Sequence, residues 1–73
     1  MTKKDRAQAY ADCSIYYYNS GNIRRAAKYW NRIYSLHLDP LDLIMVMQKF
    51  TDQQVYDITD RIRLRYYQAM GYV

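Results

Sequence analysis

The side chains most suggestive of chemistry are Cys13 and His37, the sole thiol and sole imidazole in 73 residues. A thiol becomes a useful nucleophile when a neighbouring base draws off its proton and a third group orients that base. Cys13 falls beside Ser14 inside a helical pattern, where a half-buried packing thiol is the expected role. His37 stands just before a helix cap, which suits a boundary residue or a partner for the negative end of the preceding helix. No third group at a recognisable spacing orients the pair. The seven acidic residues are all Asp. Asp39 and Asp42 could be imagined as metal ligands, but helix capping accounts for both. One cysteine cannot form an internal disulfide or a Cys-based zinc site, and no glycine loop is present to cradle phosphate. The residues therefore predict a non-catalytic chain with no metal and no cofactor.

What the spacing does carry is electrostatics. Residues 1–36 hold seven Lys or Arg and two Asp, whereas residues 37–73 hold four and five. Arg24, Lys28 and Arg32 follow one another at i, i+4 on a helical pattern with no acidic residue among them, and Arg25 lies beside the first. Such like-charge pairs repel by roughly a few tenths of a kcal/mol each. Farther along, Asp57 precedes Arg61 by four residues and Asp60 precedes Arg63 by three, so those arginines are expected to pair locally. The earlier set has no such neighbours and is expected to be either a solvated face or a docking surface for acidic protein or nucleic-acid phosphate.

Tyrosine is the second signal, at ten residues. Tyr16, Tyr17 and Tyr18 are consecutive, so on a helix they point about 100° apart and cannot share one buried face. Tyr66 and Tyr67 pose the same problem. Tyrosine brings a large rigid surface into a contact at low entropic cost, which enriches it at interfaces. Tyr16, Tyr18, Arg24, Arg25, Lys28 and Arg32 are accordingly the expected partner-binding residues. Self-association through the tyrosine-rich faces is the other use such a surface allows.

These side chains must be positioned by helices. At this length there is room for one domain with a single small core, and the start and stop signals agree with an apolar spacing of three and four. The sequence predicts an all-α bundle over residues 1–73, built from two helical hairpins with helices at roughly 3–19, 23–36, 40–50 and 52–70. Thr2 caps the first helix, with Asp5 in its first turn. Gly21 ends it in the left-handed conformation, and Asn22 caps the second. The second helix buries Ile23, Ala26, Ala27, Trp30 and Ile33. Asp39 caps the third, with Pro40 where a missing N–H costs nothing. That short helix is apolar nearly all round and is expected at the buried centre. Thr51 and Gln54 form a capping box for the fourth, whose inner stripe should be Val55, Ile58, Ile62, Tyr66 and Ala69. Tyr10, Ala26, Trp30, Ile44, Val46, Ile58 and Ile62 are the expected core. The longest apolar run, residues 43–47, is too short to span a bilayer. The N-terminal residues lack an apolar signal segment, so a cytoplasmic location is expected.

Residues 7–40 carry an ordered set of types: Tyr10, Ser14, Tyr17, Gly21, Asn22, Ile23, Ala26, Trp30, Leu36 and Asp39-Pro40. This order resembles one tetratricopeptide repeat. The resemblance implies a helix hairpin whose small positions, here Ser14 and Ala26, let the helices approach closely. It also implies a binding scaffold rather than an enzyme. Ile33 stands where the family places a small residue, and His37 and Leu38 delay the Asp-Pro stop. Residues 41–70 would form a second, degenerate pair without the glycine turn. Arrays of this kind need several repeats to bury a continuous core, so a lone pair either closes into its own bundle or stacks on a partner.

Two shorter stretches point to DNA. Residues 21–30 resemble the first helix of Fis-type helix-turn-helix domains, although the second turn does not follow. Residues 64–72 resemble the helix end of MerR-type domains, again without the preceding turn. Arg24, Arg25, Lys28 and Arg32 would then grip phosphate, which gives affinity without sequence specificity. The expectation that the residues favour is a small regulator or inhibitor docking on a larger protein through a basic, tyrosine-rich surface. The alternative is a DNA- or RNA-binding regulator using the basic face of the second helix.

Overall fold

The computed structural model describes residues 1–71, and within them the chain forms an all-α bundle of four helices with no strand. These are α1 (Lys3–Asn19), α2 (Ile23–Ser35), α3 (Pro40–Met47) and α4 (Asp52–Ala69). Each helix begins where local chemistry dictates. Thr2 and Asp5 close a reciprocal capping box at α1, and Thr51 and Gln54 do the same at α4. Asn22 accepts the backbone N–H of Arg25 at the head of α2. Pro40 occupies the first turn of α3, but the Asp39 carboxylate makes no capping bond, so proline alone sets that start.

The turn between α1 and α2 is built by Gly21 at φ 81°. Its N–H donates to the Tyr18 carbonyl at 3.0 Å, while the Asn22 N–H reaches back to Tyr17 at 2.8 Å. This pair of bonds satisfies two helix-end carbonyls and reverses the chain. His37 performs the same service after α2 without being glycine: its φ is 54° and its N–H donates to the Tyr34 carbonyl. A side chain in the left-handed region costs about 1–2 kcal/mol. His37→Gly is therefore expected to raise stability by about 0.5–1 kcal/mol once the added backbone freedom of the unfolded chain is subtracted. A thermal melt with an unchanged or lowered midpoint would show that His37 is not strained.

Packing starts from the α1–α2 hairpin. Ala7, Ala11 and Ser14 form a fully buried seam of small residues along α1, facing Ala26, Trp30 and Ile33 of α2. The closeness is measured by one contact: buried Ser14 Oγ donates to the Ala26 carbonyl at 2.7 Å. Helix α4 packs on α2, and α3 packs on α1. Phe50, in the turn after α3, sets its ring edge-on to Trp30 with centroids 5.0 Å apart. Val46 and Ile58 complete the fully buried set, and Tyr10 and Ile62 pack on it half-buried.

Two expectations about the core are corrected. Helix α3 is not the buried centre: it buries Val46, while Leu41, Ile44 and Met45 are 76%, 55% and 52% exposed. An eight-residue helix lying on the flank of α1 can turn only one side inward, so Ile44 leaves the core. Helix α3 also stops at Met47, and residues 48–50 form the turn that delivers Phe50. The inner stripe of α4 ends at Ile62, because Tyr66 and Ala69 are exposed. At 1.5 Å per residue, eighteen residues of α4 outrun the thirteen of α2 by about 7 Å. Among the described residues, none covers the last turns.

Candidate interaction surface

The surface divides around α2 into two flanks, with Arg25 at their border, over the Tyr17 ring on one side and lining a recess on the other. On one flank, Arg25, Tyr29 and Arg32 face the tyrosines of α1. The Tyr17 and Tyr29 rings stack 5.6 Å apart at 11°, and Tyr10 leans on Tyr29 at 6.1 Å. Guanidinium groups close this stack at both ends, Arg25 lying 5.5 Å from the Tyr17 centroid and Arg32 5.0 Å from that of Tyr29. Arg32 is also 5.9 Å from Tyr10. The ring faces are thus occupied by one another and by arginine, an arrangement in which the ring quadrupole attracts the cation. Tyr16 stands beside this stack, edge-on to Tyr17 and 66% exposed.

On the other flank, α2 and the second half of α4 enclose a recess of about 910 Å³. Its lining is Asn22, Arg24, Arg25, Ala27, Lys28, Asn31, Ile62 and Arg65. Four cations line it and no carboxylate does. Ala27 is buried and Ile62 half-buried, so the floor is apolar and the walls are charged. The ion pairs among the described residues are Lys4–Asp42, Lys49–Asp12 and Arg63–Asp60, and none involves α2.

The structure thus brings Arg24, Arg25 and Lys28 together, and it places Arg32 on the tyrosine flank instead. Tyr18 points a third way, toward α4, where its hydroxyl donates to Asp57 at 2.5 Å. The three consecutive tyrosines diverge as helical geometry requires. Asp57 is further held by the Gln53 amide. The expected Asp57–Arg61 pair does not form, because Asp57 is turned to Tyr18 and Gln53 instead; Arg61 Nε is left buried without a hydrogen bond.

The hydrogen bond to Asp57, with a smaller desolvation effect, raises the Tyr18 pKa above the usual tyrosine value of 10.0. The folded state therefore holds the phenol proton more tightly than the unfolded chain does. The stabilisation is fully present below the unfolded pKa and is lost as pH rises through the folded one. The midpoint difference between wild type and Tyr18→Phe should be constant near neutrality and shrink above pH 10. A difference that stays flat to the highest pH would show that the Tyr18–Asp57 bond does not contribute.

Arg65 was not among the residues that sequence reasoning selected. A signal existed: unlike Arg61 and Arg63, it has no Asp three or four residues before it. Its value depends on α4 running back along α2, which puts Arg65 opposite Arg24 and Lys28. A second recess of about 550 Å³ lies at the other end of the bundle, between Tyr34, Leu43, Ile44, Met47, Phe50 and Val55. No group of three metal-ligating side chains gathers among the described residues. No helix among them is long and apolar enough to cross a membrane. Tyr72, which ends the MerR-like stretch, lies outside the described residues. Comparison with models of protein families, with curated proteins and with solved structures finds no match to this chain.

Proposed function

We propose that this chain is a non-catalytic protein–protein interaction module, a cytoplasmic regulator or inhibitor that docks on an acidic surface of a larger partner through α2 and the helices flanking it. The observation that carries this reading is the recess walled by Arg24, Arg25, Lys28 and Arg65 with no carboxylate in its lining. Cations held together without counter-charges repel one another, and an acidic partner relieves that repulsion while steering association. The tetratricopeptide resemblance supports the same reading, since such hairpins act as binding scaffolds. Exposed Tyr16 beside the α1–α2 seam adds the rigid aromatic surface that interfaces favour.

Nucleic-acid binding is the second reading, favoured by the same cations, which could grip phosphate. Capture on the immobilised full chain, with and without nuclease, separates the two. A stoichiometric protein that survives nuclease and is lost on Lys28→Glu/Arg32→Glu supports protein docking. Material that disappears with nuclease, and whose binding falls steeply as salt rises, supports the nucleic-acid reading instead. Both positions are exposed, but Arg32→Glu also removes the guanidinium over Tyr10 and Tyr29, so circular dichroism of the variant accompanies the capture and should show wild-type helicity.

A further inference from the structure

Within that reading, and resting on it, we propose that the α2–α4 recess is the specificity site and takes an acidic peptide segment carrying an aliphatic anchor. The argument begins with the floor. Phosphate is gripped by cations, whereas this recess also sets buried Ala27 and half-buried Ile62 among Arg24, Arg25, Lys28 and Arg65. An apolar floor between charged walls matches a side chain such as leucine flanked by carboxylates. Asn22 and Asn31 line the same recess and offer amide donors and acceptors to a peptide backbone.

The aromatic residues argue the same way. Single-stranded nucleic acid is held by bases stacking on open ring faces. No aromatic ring lines this recess. Arg25, which does line it, holds its guanidinium over the Tyr17 ring, on which Tyr29 is stacked. Duplex DNA is read by a helix protruding into its groove. Here the cations stand in the walls of a depression between two helices, a shape that admits a narrow chain rather than one that enters a groove.

The course of α4 fits the same ligand. Its second half is mostly solvent-exposed, with Leu64 and Tyr66 outward, yet Ile62 and Arg65 turn toward α2. A ligand bridging Arg65 to Arg24 and Lys28 would tie that half of α4 to the bundle.

The test is a titration of the isotopically labelled full chain, followed by backbone amide NMR. The probes are a peptide of repeated Asp-Glu-Leu units, its counterpart with serine for leucine, and single-stranded oligothymidylate of equal charge. The leucine peptide should shift Asn22, Arg24, Lys28, Asn31, Ile62 and Arg65, and should bind about tenfold more tightly than the serine peptide. Arg24→Glu/Arg65→Glu should weaken it by at least about tenfold at unchanged helicity. Equal affinity for the two peptides would overturn the anchor. Oligothymidylate binding the same residues as tightly as the leucine peptide would make the recess a phosphodiester site. Shifts confined to Tyr29 and Arg32, or absent with every probe, would overturn the recess as the site. Partner capture then tells the two failures apart. A nuclease-resistant protein held equally by wild type and Arg24→Glu/Arg65→Glu overturns the recess but leaves protein docking standing. Capture of no protein by either overturns both.

Discussion

Replacing Trp30 with alanine is expected to remove much or all of the stability of the folded state. Trp30 is 6% exposed and joins α2 to the turn after α3, meeting Phe50 edge-on at 5.0 Å, and it leans on Tyr34, one turn along its own helix, at 5.9 Å. Removing a buried indole costs about 3–5 kcal/mol through lost transfer energy and the cavity left behind. A chain of this length has a total stability of about 4–11 kcal/mol at the usual allowance per residue. No disulfide compensates, because Cys13 is the sole cysteine. The loss should appear as a collapse of helical circular dichroism, or as a melt shifted far below that of wild type. Trp30→Phe keeps most of the apolar surface and should retain a cooperative transition at a lower midpoint. A Trp30→Ala chain melting within a few degrees of wild type would show that the α2–Phe50 junction is not the centre of the core.

Enlarging Ser14 is the second large effect, and it works in the opposite sense. Ser14 is fully buried where α1 crosses α2, and its hydroxyl donates to the Ala26 carbonyl at 2.7 Å. Ala7, Ala11 and Ala26 keep that seam narrow. Ser14→Leu would force the helices apart and remove the hydrogen bond. Overpacking alone costs about 1–3 kcal/mol, and the lost bond adds about 1 kcal/mol. Ser14→Ala removes only the bond and should cost about 1 kcal/mol, with the seam preserved. Denaturant unfolding of both variants separates the terms. If leucine and alanine destabilise equally, close approach is not what Ser14 provides.

Most of the helical framework was legible in the residues, and the reason is local. The capping boxes at Thr2 and Thr51, the Asn22 cap and the left-handed Gly21 each depend on side chains within a few positions. Of the five residues that the apolar spacing of α2 named, Ala26, Ala27, Trp30 and Ile33 are buried, because α2 is sandwiched between α1 and α4, while Ile23 in its first turn is half-buried. The same reasoning failed on α3, where composition implied a buried helix. Hydropathy records what could be buried, not whether a neighbour arrives to bury it. Leu41, Ile44 and Met45 are exposed because, among the described residues, none lies over them.

The candidate site was legible in part. The unpaired run Arg24, Arg25, Lys28 and Arg32 could be read from spacing alone. Its division could not, since the angle at which α1 and α4 cross α2 assigns Arg32 to the tyrosine stack and Lys28 to the recess. Spacing also offered Asp57 to Arg61, and packing gave it to Tyr18 from a helix thirty-nine residues away. Arg65 shows the same limit, because its meeting with α2 is a contact between distant segments.

The sequence by itself thus determined where the helices start, where all but α3 stop to within a residue, which face of α2 is apolar, and that its cations lack nearby acids. These rest on interactions spanning one helical turn. Only the tertiary structure decided which apolar residues are covered, which carboxylate meets which donor, and that α2 and α4 enclose a charged recess. Those outcomes depend on the relative placement of whole helices. The narrow Ala7–Ala11–Ser14 seam sets α1 against α2, the Trp30–Phe50 junction brings in the turn after α3, and buried Ile58 with the Tyr18–Asp57 bond holds α4.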